Sequence, residues 1–136
     1  MMEWAVKAQQ ENKPELQLLG VTVLTSMDDE ALAGIGVKRT AAEQVAALTA
    51  LAKEAGISGL VCSPHEAASV KAMHGDQFQL VTPGIRPTGA DAGDQKRIMT
   101  PQLAAEQGAD YIVVGRPIYQ ANNPAAVVAA IRNDLR

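Results

Sequence analysis

The 136-residue sequence has one cysteine, Cys62, which excludes an intrachain disulfide framework and any metal motif built on several cysteines. Its place in an apolar run marks it as a buried, inert thiol. Aromatic residues are scarce: one Trp, one Phe and two Tyr leave the apolar content largely to Ala, Val, Leu and Ile. No basic excess is present either. The net charge is −3, so no global field draws the chain to nucleic acid or to anionic lipid, and any anionic ligand must be held by local donors. No apolar run approaches the ~20 residues that span a bilayer. The opening Met1-Met2-Glu3-Trp4-Ala5-Val6-Lys7 is mixed and helical rather than a signal-peptide hydrophobic region, and the cytoplasm is the expected location. His65 and His74 lack acidic or cysteine neighbours at ligand spacing, so no metal centre is expected. Met27, Met73 and Met99 read as core or rim fillers.

What the chain does have is an alternation of short β-branched runs with helical patterns. The first run is Leu18 to Leu24, after which Asp28-Asp29-Glu30 can open a short helix that Gly34-Ile35-Gly36 ends. Thr40 and Glu43 then form a capping box for a longer helix with Val45, Leu48 and Leu51 at helical spacing, stopped near Gly56. A second run, Gly59 to Cys62, meets Ser63-Pro64-His65-Glu66, with Ser at the cap and Pro at the first helical position. The third run, Phe78 to Val81, enters a polar loop from Thr82 to Ile98 before Thr100-Pro101 caps a helix ending near Gly108. The fourth run, Tyr111 to Val114, is followed by Gly115-Arg116-Pro117, and Asn123-Pro124 opens a last helix.

Four βα units with nearly unbroken apolar runs predict parallel strands, which leaves an open doubly wound sheet or a (β/α)8 barrel. No Gly-rich dinucleotide turn opens a helix, and the polar residues gather after the last two strands, where barrels commonly bind phosphate. Four units make half a barrel, with two unpaired edges and one uncovered face, so the chain is not expected to stand alone as a monomer. The expectation is a single partial domain over residues 1–136: a preceding helix in 1–15 and four βα units in 16–136. The helix at the start lacks its preceding strand, which predicts truncation on the N-terminal side.

Two loops carry the chemistry. In the first, Pro83-Gly84 turns the chain sharply at the end of the third strand, Arg86 offers a planar fork of donors suited to phosphate, and Gln95 offers an amide. Loops of this length inside compact domains are more often functional than idle. In the second, Gly115 lets a ligand approach the backbone, and Arg116 supplies charge. Thr25 and Ser26, ending the first run, can bind a ligand or cap the helix near Asp28.

Together the segments Val21–Met27, Leu60–Ser63, Leu80–Pro87, Gly93–Pro101 and Val114–Ile118 resemble the C-terminal half of bacterial orotidine 5′-phosphate decarboxylases, in unbroken order over residues 16–136. The resemblance implies a (β/α)8 barrel, here strands five to eight, that dimerises and converts orotidine monophosphate to uridine monophosphate without metal or organic cofactor. It matches Gly115 and Arg116 to the phosphate grip with Gln95 beside them, Arg86 to a nucleotide contact in the closing loop, and Thr25 to a binding residue. Ser26 would face the pyrimidine, and Pro83 completes the candidate substrate-binding set. The family's chemistry uses an Asp/Lys array on strands of the N-terminal half. None of the six lysines (Lys7, Lys13, Lys38, Lys53, Lys71, Lys96) is placed by the pattern at a strand's C-terminal end among Asp partners, so no catalytic residue is assigned. Two other readings stand beside this one. One is a non-catalytic half-barrel that self-associates and binds a phosphorylated ligand; the other is a relative acting on another phosphorylated substrate.

Overall fold

A computed structural model describes residues 1–136. Its four strands are β1 (Leu19–Val21), β2 (Gly59–Val61), β3 (Gln79–Thr82) and β4 (Tyr111–Ile112). They form one sheet in the order β1-β2-β3-β4, every neighbouring pair parallel. The helices are α1 (Met2–Asn12), α2 (Asp29–Gly34), α3 (Ala41–Glu54), α4 (Pro64–His74), α5 (Pro101–Glu106), α6 (Arg116–Tyr119) and α7 (Pro124–Asp134), with a 3₁₀ turn at Gly75–Gln77.

Local chemistry sets the boundaries. Thr40 Oγ1 accepts from the Glu43 N–H while Glu43 accepts from the Thr40 N–H at 2.9 Å, the reciprocal box that starts α3. Ser63 and Thr100 cap α4 and α5 by a one-way bond, their hydroxyls accepting from the His65 and Leu103 N–H groups, each with Pro at the first helical position. Helix α6 has no signature in the sequence pattern, since four residues are too few to carry a periodic signal.

Strand order decides between the two architectures. A doubly wound sheet reverses its order at a switch point and carries helices on both faces. Here each strand lies beside its predecessor, and the apolar core forms on one side only. Leu60 and Leu80 join Cys62, Phe78, Val45, Ala52, Ala67 and Val70 in that core. The alternate row, Val21, Val61, Val81 and Tyr111, lies in register on the opposite face. That face is open: Val21 is 60% exposed and Tyr111 55%. The sheet is an arc of a (β/α)8 barrel, helices outside and the concave row inside.

Both edges are free of partners. The Leu18 C=O and the Thr22 N–H serve the β1–β2 ladder, so the alternate Leu19 and Val21 backbone groups point to the open edge. Beside that edge, beneath α1, lies a mostly apolar cavity of about 390 Å³ lined by Met2, Ala5, Leu19, Val21, Ile57 and Leu60 among others. No helix is long and apolar enough to cross a membrane.

Candidate functional site

The polar residues gather where the strands end. After β1 the chain turns at Thr25-Ser26. The cap of α2 is Asp28, whose carboxylate accepts from the Ala31 N–H at 2.9 Å, so neither Thr25 nor Ser26 has the capping role that the sequence left open. Thr25 is buried and points at the long loop: its hydroxyl donates to Gln95 Oε1, and its carbonyl accepts the Lys96 and Arg97 N–H groups, each at 3.1 Å. Ser26 follows, half-buried.

The long loop is more ordered than its polar sequence predicts. Ile85 and Met99 form a parallel bridge, with the Arg86 N–H donating to the Met99 C=O at 2.9 Å and the Met99 N–H to the Gly84 C=O at 3.2 Å. Pro83 leads into Gly84, whose φ of +79° favours glycine. A Cβ at Gly84 would stand 2.9 Å from the Arg97 carbonyl oxygen and 3.1 Å from Thr25 Cγ2. The close approach of two strand exits therefore depends on the missing side chain.

The two arginines are placed differently. Arg86 is buried, and its guanidinium wraps its own loop: Nε donates to the Asp91 C=O at 2.9 Å, Nη1 to the Ile85 C=O at 2.8 Å and Nη2 to the Ala92 C=O at 3.3 Å. Three of its five donors shape the loop, which leaves two for anything else. Arg116, at the start of α6, instead faces the loop from the next strand and pairs with Asp94 through Nη2. It lies against Gly93, where a Cβ would come within 2.7 Å of Nη1. The Arg116 guanidinium holds the Asp94 carboxyl below the usual carboxylate range. A solvent-open cleft of about 340 Å³, lined by Gly93, Arg116 and Gln120, separates loop from helix. Three consecutive loop residues, 93 to 95, thus touch both Thr25 and Arg116.

The decisive comparison is at the level of the family. Residues 1–131 match the family described as orotidine 5′-phosphate decarboxylase / HUMPS. The chain belongs to that family. It is 58% identical over 118 residues to the orotidine 5′-phosphate decarboxylase of Pseudoalteromonas translucida, covering 87% of this chain and 50% of the relative. The enzyme of that name from Vibrio atlanticus is also 58% identical over 118 residues, with 51% of its length covered. Among solved structures, orotidine 5′-phosphate decarboxylase from Lactobacillus acidophilus superposes with a TM-score of 0.79 at 37% identity, over 100% of this chain and 58% of that one. The Pyrococcus horikoshii enzyme gives 0.66 at 25% identity. The chain spans about half the length of the curated relatives it matches.

Two features of this decarboxylase-family arc escaped the sequence. Lys96, which the pattern places at no strand end among Asp partners and gives no role, pairs from the loop with Asp28 at 2.7 Å across the β1 exit and holds that carboxyl below its usual range. It is one half-exposed pair rather than an array, and it ties the loop down. Arg97, which carried no role, turns inward to Glu66 of α4. Its partners lie 31 or more positions away, so no local motif announces it. No group of three or more His, Cys, Asp or Glu side chains is placed to hold a metal ion.

Proposed function

We propose that these 136 residues, one partial domain, build the phosphate- and nucleotide-gripping end of an orotidine 5′-phosphate decarboxylase. The reaction is a lyase step of pyrimidine biosynthesis in the cytoplasm, taking orotidine monophosphate to uridine monophosphate and carbon dioxide. The observation that carries this reading is the convergence of Thr25 and Arg116 on the loop segment that bears Asp94 and Gln95, in a chain of this family. Arg116 supplies charge to the phosphate dianion, which displaces the weaker Asp94 carboxylate from the guanidinium. Gly115 lets the phosphate approach the backbone, and Gln95 contributes its amide. Thr25 and Ser26 serve the nucleoside side, and Pro83 and Arg86 shape the loop that closes over it.

The chemical step needs charge placed against the substrate carboxylate and a lysine to protonate C6. Lys96 with one Asp does not make that array, and these residues alone are expected to turn over no orotidine monophosphate. The array comes from a complementary half-barrel, which also covers the concave row and both free edges. Calorimetric titration with uridine monophosphate tests the binding claim. Arg116→Ala should weaken binding about tenfold to a hundredfold, the size of a lost charge-assisted contact. Absence of binding by the unsubstituted chain refutes the phosphate-site reading. Normal turnover in an orotidine monophosphate absorbance assay refutes the division of labour.

The open concave row favours a second reading, in which two copies close one barrel and bind a phosphorylated ligand without turning it over. Mixing with the N-terminal half of a bacterial relative discriminates. Restored turnover supports the enzyme, and a stable two-copy particle that stays inert supports the scaffold.

A further inference from the structure

The long loop ends on a charged side chain that goes under it rather than out to solvent. Arg97 Nη1 pairs with Glu66, and Nη2 donates to the Val23 C=O at 3.1 Å and the Leu24 C=O at 3.2 Å. Around it, the Lys96 and Arg97 N–H groups converge on the Thr25 carbonyl, Ser63 Oγ donates to the Arg97 C=O at 3.5 Å, and the His65 ring meets the Ile98 C=O at 3.1 Å. One guanidinium therefore joins the exit of β1, the first turn of α4 and the end of the loop.

This pair is a poor stabiliser. Its side chains are only 12% and 10% exposed, and both Glu66 Oε2 and Arg97 Nε are buried without a hydrogen-bond partner. Burial pushes the Glu66 carboxyl above its usual range, although Arg97 opposes the shift. Two desolvated charges with unsatisfied atoms rarely outperform apolar residues of the same bulk. What an apolar pair cannot do is fix direction. The carboxylate orients the guanidinium, and the guanidinium holds two strand-end carbonyls at hydrogen-bond distance, two residues along the chain from Gln95.

We propose that Arg97, oriented by Glu66, is a positioning residue that sets Gln95 opposite Thr25 and thereby fixes the ligand-facing geometry of the loop. The inference rests on the nucleotide-binding reading of this rim. It is tested on the full chain by calorimetric titration with uridine monophosphate, alongside urea unfolding. The double variant Glu66→Leu/Arg97→Met replaces the pair with apolar bulk, and Arg97→Lys keeps the charge but loses the forked geometry. The double variant should keep a cooperative urea transition, the apolar bulk offsetting the lost Val23 and Leu24 carbonyl contacts, yet bind uridine monophosphate about tenfold more weakly, the size of one well-directed hydrogen bond. Arg97→Lys should fall between. A residue that merely stabilised the fold would leave affinity unchanged in the folded fraction, whatever the midpoint does. Normal affinity in a folded double variant overturns the proposal. If the double variant unfolds, normal affinity in Arg97→Lys overturns it. No binding by the unsubstituted chain overturns the underlying reading as well, a result distinct from the other two.

Discussion

Two glycines in the long loop allow stability and binding to be separated. Gly84 and Gly93 both have positive φ, +79° and +61°, so an alanine at either meets the same left-handed penalty, about 1–2 kcal/mol. The alanine also restricts the unfolded chain, which returns about 0.4–1 kcal/mol at each position. The surroundings differ. At Gly84 the new methyl would press on the Arg97 carbonyl oxygen at 2.9 Å and on Thr25 at 3.1 and 3.2 Å, atoms held in a hydrogen-bonded junction. Such overpacking adds about 1–3 kcal/mol. At Gly93 the methyl meets the end of the Arg116 side chain at 2.7 Å, and that side chain is 35% exposed and free to swing. Gly93→Ala should therefore cost about 1 kcal/mol and Gly84→Ala about 2–4 kcal/mol, the latter a large part of ordinary domain stability. Urea unfolding followed by circular dichroism measures both, and uridine monophosphate titration reads the site. Gly93→Ala should weaken binding more than its small stability loss suggests, because Arg116 is displaced. Equal destabilisation by the two variants would refute the packing argument. Unchanged affinity in Gly93→Ala would refute the placement of the ligand phosphate at Arg116.

Two further outcomes follow from the charges. Asp94 sits where a ligand phosphate would compete for Arg116, so Asp94→Asn should raise uridine monophosphate affinity a few-fold; a weaker-binding variant would show that Asp94 instead organises the loop. Because Arg116 lowers the Asp94 pKa, the pair's stabilisation is present above the ordinary carboxylate range and lost as pH falls through the lowered value, and the asparagine variant should lack this part of the acid loss. Cys62 is buried, and burial, with the nearby Glu66 charge adding, pushes its thiol up to about 12 against the opposing effect of Arg97. A thiol reagent at pH 8 should leave the native chain unlabelled and react promptly in urea; rapid stoichiometric labelling of the native chain would contradict the burial.

The sequence was most legible where its signals are local. The capping box at Thr40 and Glu43, and the Ser63-Pro64 and Thr100-Pro101 starts, fall where their side chains can reach the backbone two or three residues on, and all three helices begin there. Parallel pairing followed from short aliphatic runs, although β1 and β4 are shorter than those runs, since Val23, Leu24, Val113 and Val114 already belong to strand exits. The choice between doubly wound sheet and barrel arc needed strand order, which no periodicity encodes. The loop's internal order was hidden for a related reason. The Ile85–Met99 bridge spans 14 positions, and the Arg97 contacts span 31 to 74, so both depend on an assembled sheet. Arg86 was legible as a forked donor, but not that its own loop carbonyls would take three of those donors.

The candidate site and the stability of the chain depend on different parts of the sheet, its ends and its faces. The contacts that shape the rim, from Thr25–Gln95 and Arg97–Glu66 to Arg116–Asp94, run between strand ends, one loop and the first turns of α4 and α6. None passes through the concave row. That row nevertheless leaves Leu19, Val21, Tyr111 and Val113 each between 45% and 60% exposed, while Leu60 and Leu80 on the other face are fully buried. Completing the burial of four such side chains is worth roughly 1 kcal/mol or more apiece, close to the lower end of whole-domain stability. A cover over the concave face should therefore raise the unfolding midpoint strongly while leaving the Thr25–Gln95 and Arg116–Asp94 contacts where they are. On the proposed reading, phosphate recognition would belong to the rim, and rigidity of the barrel wall to whatever fills its interior.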